Sequence, residues 1–173
     1  MLTVLIECRD NEIELAQTLS GLVVGAVEGL VSDVVLLDHG SVDGSVAIAD
    51  AAGCRIYRQW SLPDVIAEAR GSWLMVLEAG ARLQSGWVEE ITQYLAVSLD
   101  PARLSPSRTF RRSLMSRLRS GRRPIETGCL LPKAKAAALA RPGMGLAELA
   151  SLNKTRQLRS EIIPAWALQT AKP

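Results

Sequence analysis

Cysteine, histidine and aromatic residues are scarce in this chain of 173 residues. The three cysteines, Cys8, Cys54 and Cys129, are far apart and form no CxxC pair, which argues against a disulfide framework and a cysteine-based zinc site. A single histidine, His39, gives poor support for a histidine metal site or a Ser-His-Asp triad. The amino-terminal apolar run is too short for a signal peptide and follows no basic leader, so we expect a cytoplasmic, reducing location.

Long apolar runs and the common catalytic loops are also missing from the sequence. It has no run of about 18 apolar residues, the length that spans a bilayer. It has no GxxxxGK[ST] loop, no GxGxxG after the first apolar run and no GxSxG elbow. These absences argue against a P-loop NTPase, a dinucleotide-dependent enzyme and a serine hydrolase of the common types.

Aliphatic residues in short runs are what the chain does have, with 48% apolar and 22% charged residues. The runs LTVLIEC, DVVLLD, CRIYR and SWLMVLE alternate with segments of helical periodicity, which predicts the order βαβαβαβα over residues 1–100. Continuous apolar strands of this kind predict a mainly parallel sheet covered by helices on both faces. Further on, IETGCLLP predicts a strand, KAKAAALA and LAELASLNKTRQL predict helices, and the tail from Pro164 is expected to be irregular.

Two carboxylates fall at predicted strand ends, where parallel sheets bind their ligands. Asp38 ends the second strand and Glu78 ends the fourth. The loop HGSVDGS follows Asp38, and its Asp43 can cap the next helix. We therefore predict a binding site at this edge. The alternative is an ordinary strand-to-helix turn beside a solvated strand end.

Four stretches resemble family-2 glycosyltransferases with the GT-A fold. VLIECRDNEIELAQTLSGL is similar to that family's first strand and helix, with its Asn-Glu pair at Asn11 and Glu12. LLDHGSVDGS is similar to the loop Asp-Asp-Gly-Ser-x-Asp-Gly-Ser/Thr, with His39 in place of the second aspartate. EARGSWLMVLEAGARL resembles the strand that leads to a metal-binding Asp-x-Asp, and SGWVEEITQYL resembles a Trp-bearing helix. The resemblance fades beyond about residue 100.

The resemblance implies a single GT-A-like, Rossmann-like α/β domain that moves a sugar from a nucleotide-sugar donor of UDP or GDP type to a hydroxyl, with inversion. The acceptor would be a glycan or a lipid-linked sugar, as in the synthesis of cell-surface polysaccharide or glycolipid. Residues 1–100 would bind the nucleotide-sugar, and residues 101–173 would form a shortened acceptor side. The nucleotide-binding residues implied are Asp38, His39, Gly40, Ser41, Asp43 and Arg70.

The sequence departs from the family at its metal motif and at its catalytic base. Asp-x-Asp reads EAG here, so Glu78 with diphosphate oxygens and water would hold Mg²⁺ or Mn²⁺ only weakly. The nearest candidate for the base is Glu148, where Leu149 replaces the family's aspartate, and Glu126 is an alternative. These departures favour a second interpretation, a catalytically inactive glycosyltransferase-like binding or scaffold protein.

Residues 103–123 contain eight arginines and no acidic residue. Phe110, Leu114 and Leu118 recur every four residues there, which predicts a helix with one apolar face. Such a helix suits an anionic membrane surface, so we predict peripheral binding at the inner face of the membrane. The alternative is a helix packed on the sheet with solvated arginines. Nucleic acid is not an expected partner, since Phe110 is the only aromatic residue interleaved with the arginines.

Overall fold

The computed structural model describes residues 1–110 and 124–169. Its strands are Leu2–Cys8 (β1), Val31–Asp38 (β2), Arg55–Tyr57 (β3), Trp73–Glu78 (β4), Arg82–Leu83 (β5), Ala102–Pro106 (β6), Cys129–Pro132 (β7) and Arg156–Ile163 (β8). Its helices are Glu12–Val27 (α1), Ser45–Ala51 (α2), Leu62–Glu68 (α3), Trp87–Val97 (α4), Lys133–Leu139 (α5), Leu146–Ser151 (α6) and Trp166–Gln169 (α7), with a 3₁₀ turn at Pro124–Thr127.

The strands of the described residues form one mixed sheet in the order β3-β2-β1-β4-β7-β6-β8-β5. The first four in that order are parallel to one another. β7 is antiparallel to both β4 and β6, and β8 is parallel to β6 but antiparallel to β5. The prediction of a single α/β domain is confirmed, and its parallel half is the part that the apolar runs predict.

Helices cover both faces of the sheet because successive side chains of a buried strand point to opposite sides. In β1, Val4 and Ile6 pack with the core beneath α1, α2 and α4. Leu5, between them, packs with the core beneath α3, α5 and α6. Burial of both faces explains why β1 is mostly apolar up to Ile6.

The carboxyl-terminal part of the chain corrects three predictions from the sequence. The helix expected over LAELASLNKTRQL ends at Ser151, and β8 occupies Arg156–Ile163. Asn153 donates its side-chain amide to the Leu149 carbonyl at 3.0 Å, which supplies a local partner beyond the last helical turn. The strand expected over IETGCLLP is restricted to β7, and the tail expected to be irregular contains α7.

The predicted amphipathic helix of the basic segment lies mostly in residues 111–123, outside the described residues. Its membrane-facing role therefore stays a prediction. Among the described helices, each is too short or too polar to cross a membrane. The 1–100 and 101–173 parts share the sheet, because β7 continues it from β4.

Candidate functional site

The carboxyl ends of the parallel strands meet at one edge of the sheet. Asp38, at the end of β2, is in register with Cys8 of β1, and Glu78, at the end of β4, is in register with Glu7. A cavity of about 370 Å³ opens at this edge, and the residues that line it include Glu7, Asn11, Glu78, Glu126 and Trp166. The strand-end carboxylates predicted from the sequence are thus brought to the same edge.

Asp38 is a buried carboxylate with 1% of its surface exposed. Its Oδ1 accepts the backbone N–H of Ser41 at 3.0 Å. Burial acts to raise the pKa of the Asp38 carboxyl, but hydrogen bonds from Ser41 and Gly40 and the charge of Arg58 outweigh it, and the pKa lies below its ordinary value. Asp38 is therefore ionised at neutral pH, which makes it an acceptor for ligand hydroxyl or N–H groups.

Asp43 joins the amino ends of two helices. Its carboxylate accepts the N–H of Glu12, the first residue of α1, at 3.0 Å and the N–H of Ser45, the first residue of α2, at 2.9 Å. The hydrogen bond from the Ser45 side chain is the main reason why the pKa of Asp43 lies below its ordinary value. The N-cap residue of α2 is Gly44 and not Asp43 as predicted, but Asp43, one residue earlier, still accepts the first N–H of the helix. Asp43 also fixes α1 against the loop after β2.

The two loop glycines serve different purposes. Gly40 has a φ of +83°, a left-handed conformation that favours glycine. Gly44 has a φ of −73°, and a Cβ added there would lie 2.5 Å from the carboxyl carbon of Glu12. The Gly44 N–H instead donates to that carboxylate at 3.1 Å. The backbone of Gly44 therefore lies close to the Glu12 side chain, and this contact explains why glycine occupies the position.

Asp10 completes the junction between the two loops, and the sequence interpretation missed it. It has a φ of +52°, which aspartate tolerates better than most residues. Its Oδ1 accepts the Val42 N–H at 2.7 Å, and its own N–H donates to the Ser41 hydroxyl at 3.0 Å. The loops after β1 and β2 therefore form one hydrogen-bonded unit beside Asp38.

Glu7, His39 and Trp60 form a second cluster at the site edge. His39 Nε2 lies 3.6 Å from Glu7 Oε2, and the His39 ring meets Trp60 edge-on with centroids 5.4 Å apart. The other oxygen of Glu7 accepts the Leu146 N–H at 2.6 Å, which ties β1 to the start of α6. Glu7 is a charged residue inside the apolar run of β1, and that interruption is the signal by which the sequence could have revealed it.

Arg70 does not belong to this site, which corrects the prediction that it binds the nucleotide. It is exposed and precedes β4. β4 then runs for six residues to Glu78, so Arg70 lies at the opposite edge, about 20 Å away. Arg58, just after β3 at the carboxyl edge, is the arginine whose charge lowers the pKa of Asp38. Sequence reasoning had not singled out Arg58.

Glu148, the predicted base, is exposed on α6. Glu148 is not among the described residues that line the cavity. The cavity is lined instead by its neighbour Ala147 and by the alternative candidate Glu126. Glu126, rather than Glu148, therefore lies on the wall of the cavity that Glu7 and Glu78 also line.

The EAG sequence after β4 does not fit the two-carboxylate metal motif. Gly80 has a φ of +98°, and its N–H donates to the Thr18 hydroxyl at 2.8 Å. A Cβ at Gly80 would lie 3.2 Å from Ala165 Cβ and 3.3 Å from Glu14 Cβ. Within the described ranges, no group of three or more His, Cys, Asp or Glu side chains is placed to hold a metal ion. These residues therefore do not fit an Mg²⁺ or Mn²⁺ held by the protein itself.

The fold and the strand-end site together define a GT-A-like α/β domain. No protein-family model matches this sequence, and a search of the curated proteins also gives no match. Solved structures do match. The chain is similar to Mycobacterium tuberculosis glucosyl-3-phosphoglycerate synthase in complex with Mn²⁺ and UDP-glucose, with a TM-score of 0.67, 17% identity and coverage of 95% of this chain and 70% of that one.

Two further structures give the same result. A second crystal structure of the M. tuberculosis synthase has a TM-score of 0.66 and 16% identity, and the match covers 95% of this chain and 72% of that one. A mycobacterial protein has a TM-score of 0.64 and 18% identity, over 93% of this chain and 65% of that one. At these identities the similarity establishes the fold of the chain.

Proposed function

We propose that this protein is a glycosyltransferase that transfers a sugar from a nucleotide-sugar donor to an acceptor hydroxyl. The observation that carries the proposal is the buried, ionised Asp38 at the carboxyl end of β2, in a loop that resembles the family's nucleotide loop. The fold supports it, because similar structures contain UDP-glucose, or UDP with phosphoglyceric acid. Titration with UDP and with GDP distinguishes a uridine donor from a guanosine donor.

In this proposal, residues 1–100 hold the donor and residues 101–173 form the acceptor side. Asp38 accepts hydrogen bonds from the nucleoside, and Gly40 and Ser41 shape the loop around it. His39 faces the nucleotide from the same loop. Asp43 acts by fixing that loop against α1, as its hydrogen bonds to Glu12 and Ser45 show.

Transfer requires a base that removes the proton of the acceptor hydroxyl while its oxygen attacks the anomeric carbon. The bond to the diphosphate breaks as the new glycosidic bond forms, so attack from the opposite side inverts the configuration. Glu148 was the sequence candidate, but Glu126 lines the cavity. We therefore propose Glu126 as the first residue to test as the base, with Glu148 second.

A non-catalytic binding or scaffold role is the second candidate function. The observation that favours it is Gly80, which stands where the family has its second carboxylate and has a φ of +98° that residues with a side chain rarely adopt. Nuclear magnetic resonance of UDP-glucose and GDP-mannose with simple sugar acceptors separates the two functions. Formation of a new glycosidic linkage supports the enzyme. Donor binding without any turnover across a broad acceptor panel supports the scaffold.

Asp38→Ala is expected to weaken the binding of UDP or GDP by about 1.5–3 kcal/mol, the range for a hydrogen bond to a charged group. Isothermal titration calorimetry measures the effect. Asp50→Ala is the matched control, since Asp50 is an exposed aspartate in α2, away from Asp38. Because Asp38 also accepts the Ser41 N–H, each variant is first checked by thermal unfolding. Equal affinity of a folded Asp38→Ala variant and the wild type would remove Asp38 from the site.

The basic segment 103–123 is proposed to bind an anionic membrane, where a lipid-linked acceptor would be found. Sedimentation with phosphatidylserine vesicles should increase with the anionic fraction and decrease with salt, because each arginine near such a surface contributes about 1 kcal/mol. Exchanging Arg111, Arg112, Arg117 and Arg119 for Gln should abolish it. Neutral vesicles are the control. Protein that stays in the supernatant at low salt with abundant anionic lipid contradicts the membrane role.

A further inference from the structure

We infer that this site binds the donor diphosphate without a divalent cation, and that Arg58 supplies positive charge in its place. The inference rests on the proposed function, because it concerns how the same nucleotide-sugar is held. It differs from structures of the M. tuberculosis synthase, which include complexes of UDP with Mn²⁺ and of UDP with Mg²⁺.

The first line of support is the backbone at Gly80. Its φ of +98° lies in a region that residues with a side chain rarely adopt. Its N–H is already bonded to Thr18, and Ala165 lies 3.2 Å from the position of a Cβ. The position that would supply a second metal ligand is therefore disfavoured for a side chain by its backbone conformation, and a Cβ there would also be in tight contact with Ala165. An aspartate at Gly80 would be strained, and Ala165 would have to shift by a few tenths of an ångström.

The second line of support is the absence of a ligand set that would compensate. Hard divalent ions need several oxygen ligands, and a site with one protein carboxylate relies on the substrate for the rest. In residues 1–110 and 124–169, no cluster of three potential metal ligands is present. A nucleoside diphosphate still brings two phosphate groups to this edge, and their charge requires a counter-charge.

Arg58 is placed to provide that counter-charge. It is exposed at the carboxyl end of β3, the strand beside β2. β3 pairs in parallel with β2, and Tyr57 is in register with Leu37. Arg58 therefore lies at the same edge of the sheet as Asp38. The charge of Arg58 is the smallest of the causes that keep the pKa of Asp38 below its ordinary value. Guanidinium groups bind phosphate oxygens in a bidentate manner and keep their charge at all relevant pH values. Arg70 has the same side chain at the opposite edge of the sheet and serves as the matched control.

The experiment is calorimetry of UDP and GDP against the full chain, in EDTA and in Mn²⁺, with electron paramagnetic resonance to count bound Mn²⁺. We expect affinities in the two conditions to differ by less than about threefold. Arg58→Gln should weaken binding in EDTA by about tenfold or more and should reduce its salt dependence. Arg70→Gln should bind as the wild type does.

Each outcome decides a separate point. Binding in EDTA that falls in Arg58→Gln and not in Arg70→Gln supports the inference. Binding only with Mn²⁺, with protein-dependent loss of the free Mn²⁺ signal, overturns it and leaves the proposed function standing. Binding in EDTA that is unchanged in a folded Arg58→Gln variant overturns the role of Arg58. No binding of either nucleotide in any condition overturns the proposed function, and the inference with it.

Discussion

Arg55→Met is expected to lower the free energy of unfolding by about 3 kcal/mol, because it leaves a buried charge without its partner. Asp33 in β2 has a side chain that is 4% exposed, and its carboxylate forms an ion pair with the Arg55 guanidinium. One Asp33 oxygen accepts from Arg55 Nε at 3.1 Å and the other from Nη2. That hydrogen-bonded pair is the main reason why the pKa of Arg55 is raised. Urea denaturation measures the change.

Arg108→Met is the matched control for this prediction. Its guanidinium also faces a carboxylate, with Nε 3.3 Å from Glu161, but the Arg108 side chain is 84% exposed. An exposed pair contributes less than about 1 kcal/mol. Replacing Arg55 and Asp33 together by apolar residues should cost less than Arg55→Met alone, since no charge then remains buried. Equal losses for Arg55→Met and Arg108→Met would contradict the burial of Asp33.

The amino-terminal strands could be predicted because a strand that is buried on both faces appears in the sequence as a run of apolar residues. β1 and β4 are mostly apolar, and each lies between two other strands of the sheet. The sequence pattern of β8 is less distinctive. Leu158 and Ile162 are its fully buried side chains, and charged or polar residues separate them. Their spacing of four suits a helix as well as a strand, so pairing with β6 and β5 decides the structure and local pattern does not.

The candidate site could be predicted in part, for a related reason. Asp38 follows from its place at the end of a parallel strand, and Gly40 follows from the turn after it. The position of Arg70 could also have been predicted from the topology, because a residue that precedes a parallel strand lies at the amino edge of the sheet. The links from Glu7 to Leu146 and from Gly80 to Ala165 join segments far apart in the chain. One sequence carries no signal for such contacts.

Trp87 lies in the stretch that resembles the family's Trp-bearing helix, and its role in this structure is to pack in the core. Only 2% of its surface is exposed, and it packs with Ile91 and the apolar face of α1. Its indole ring lies against Gly25 of α1, where a side chain would not fit. Packing between α1 and α4 therefore explains the tryptophan in the stretch SGWVEEITQYL.

Gly25→Ala is accordingly expected to lower the free energy of unfolding by about 3 kcal/mol, the upper part of the usual range for an overpacked core. A Cβ at Gly25 would lie 2.4 Å from Trp87 Cη2 and 2.9 Å from Val31 Cγ2. Both neighbours are buried, so neither can turn outward. For a chain of this size the melting temperature should fall by roughly 6–12 °C.

Gly21→Ala, one helical turn earlier in α1, is expected to have the opposite sign. The nearest atom to a Cβ there is the Leu83 N at 3.9 Å, an ordinary contact. Alanine in a helix interior is favoured over glycine by up to about 1 kcal/mol, so the melting temperature should rise by roughly 2–4 °C. Differential scanning calorimetry of the two variants compares the same chemical change in the same helix. A rise in melting temperature for both variants would show that helix propensity, rather than the contact with Trp87, decides the effect at Gly25.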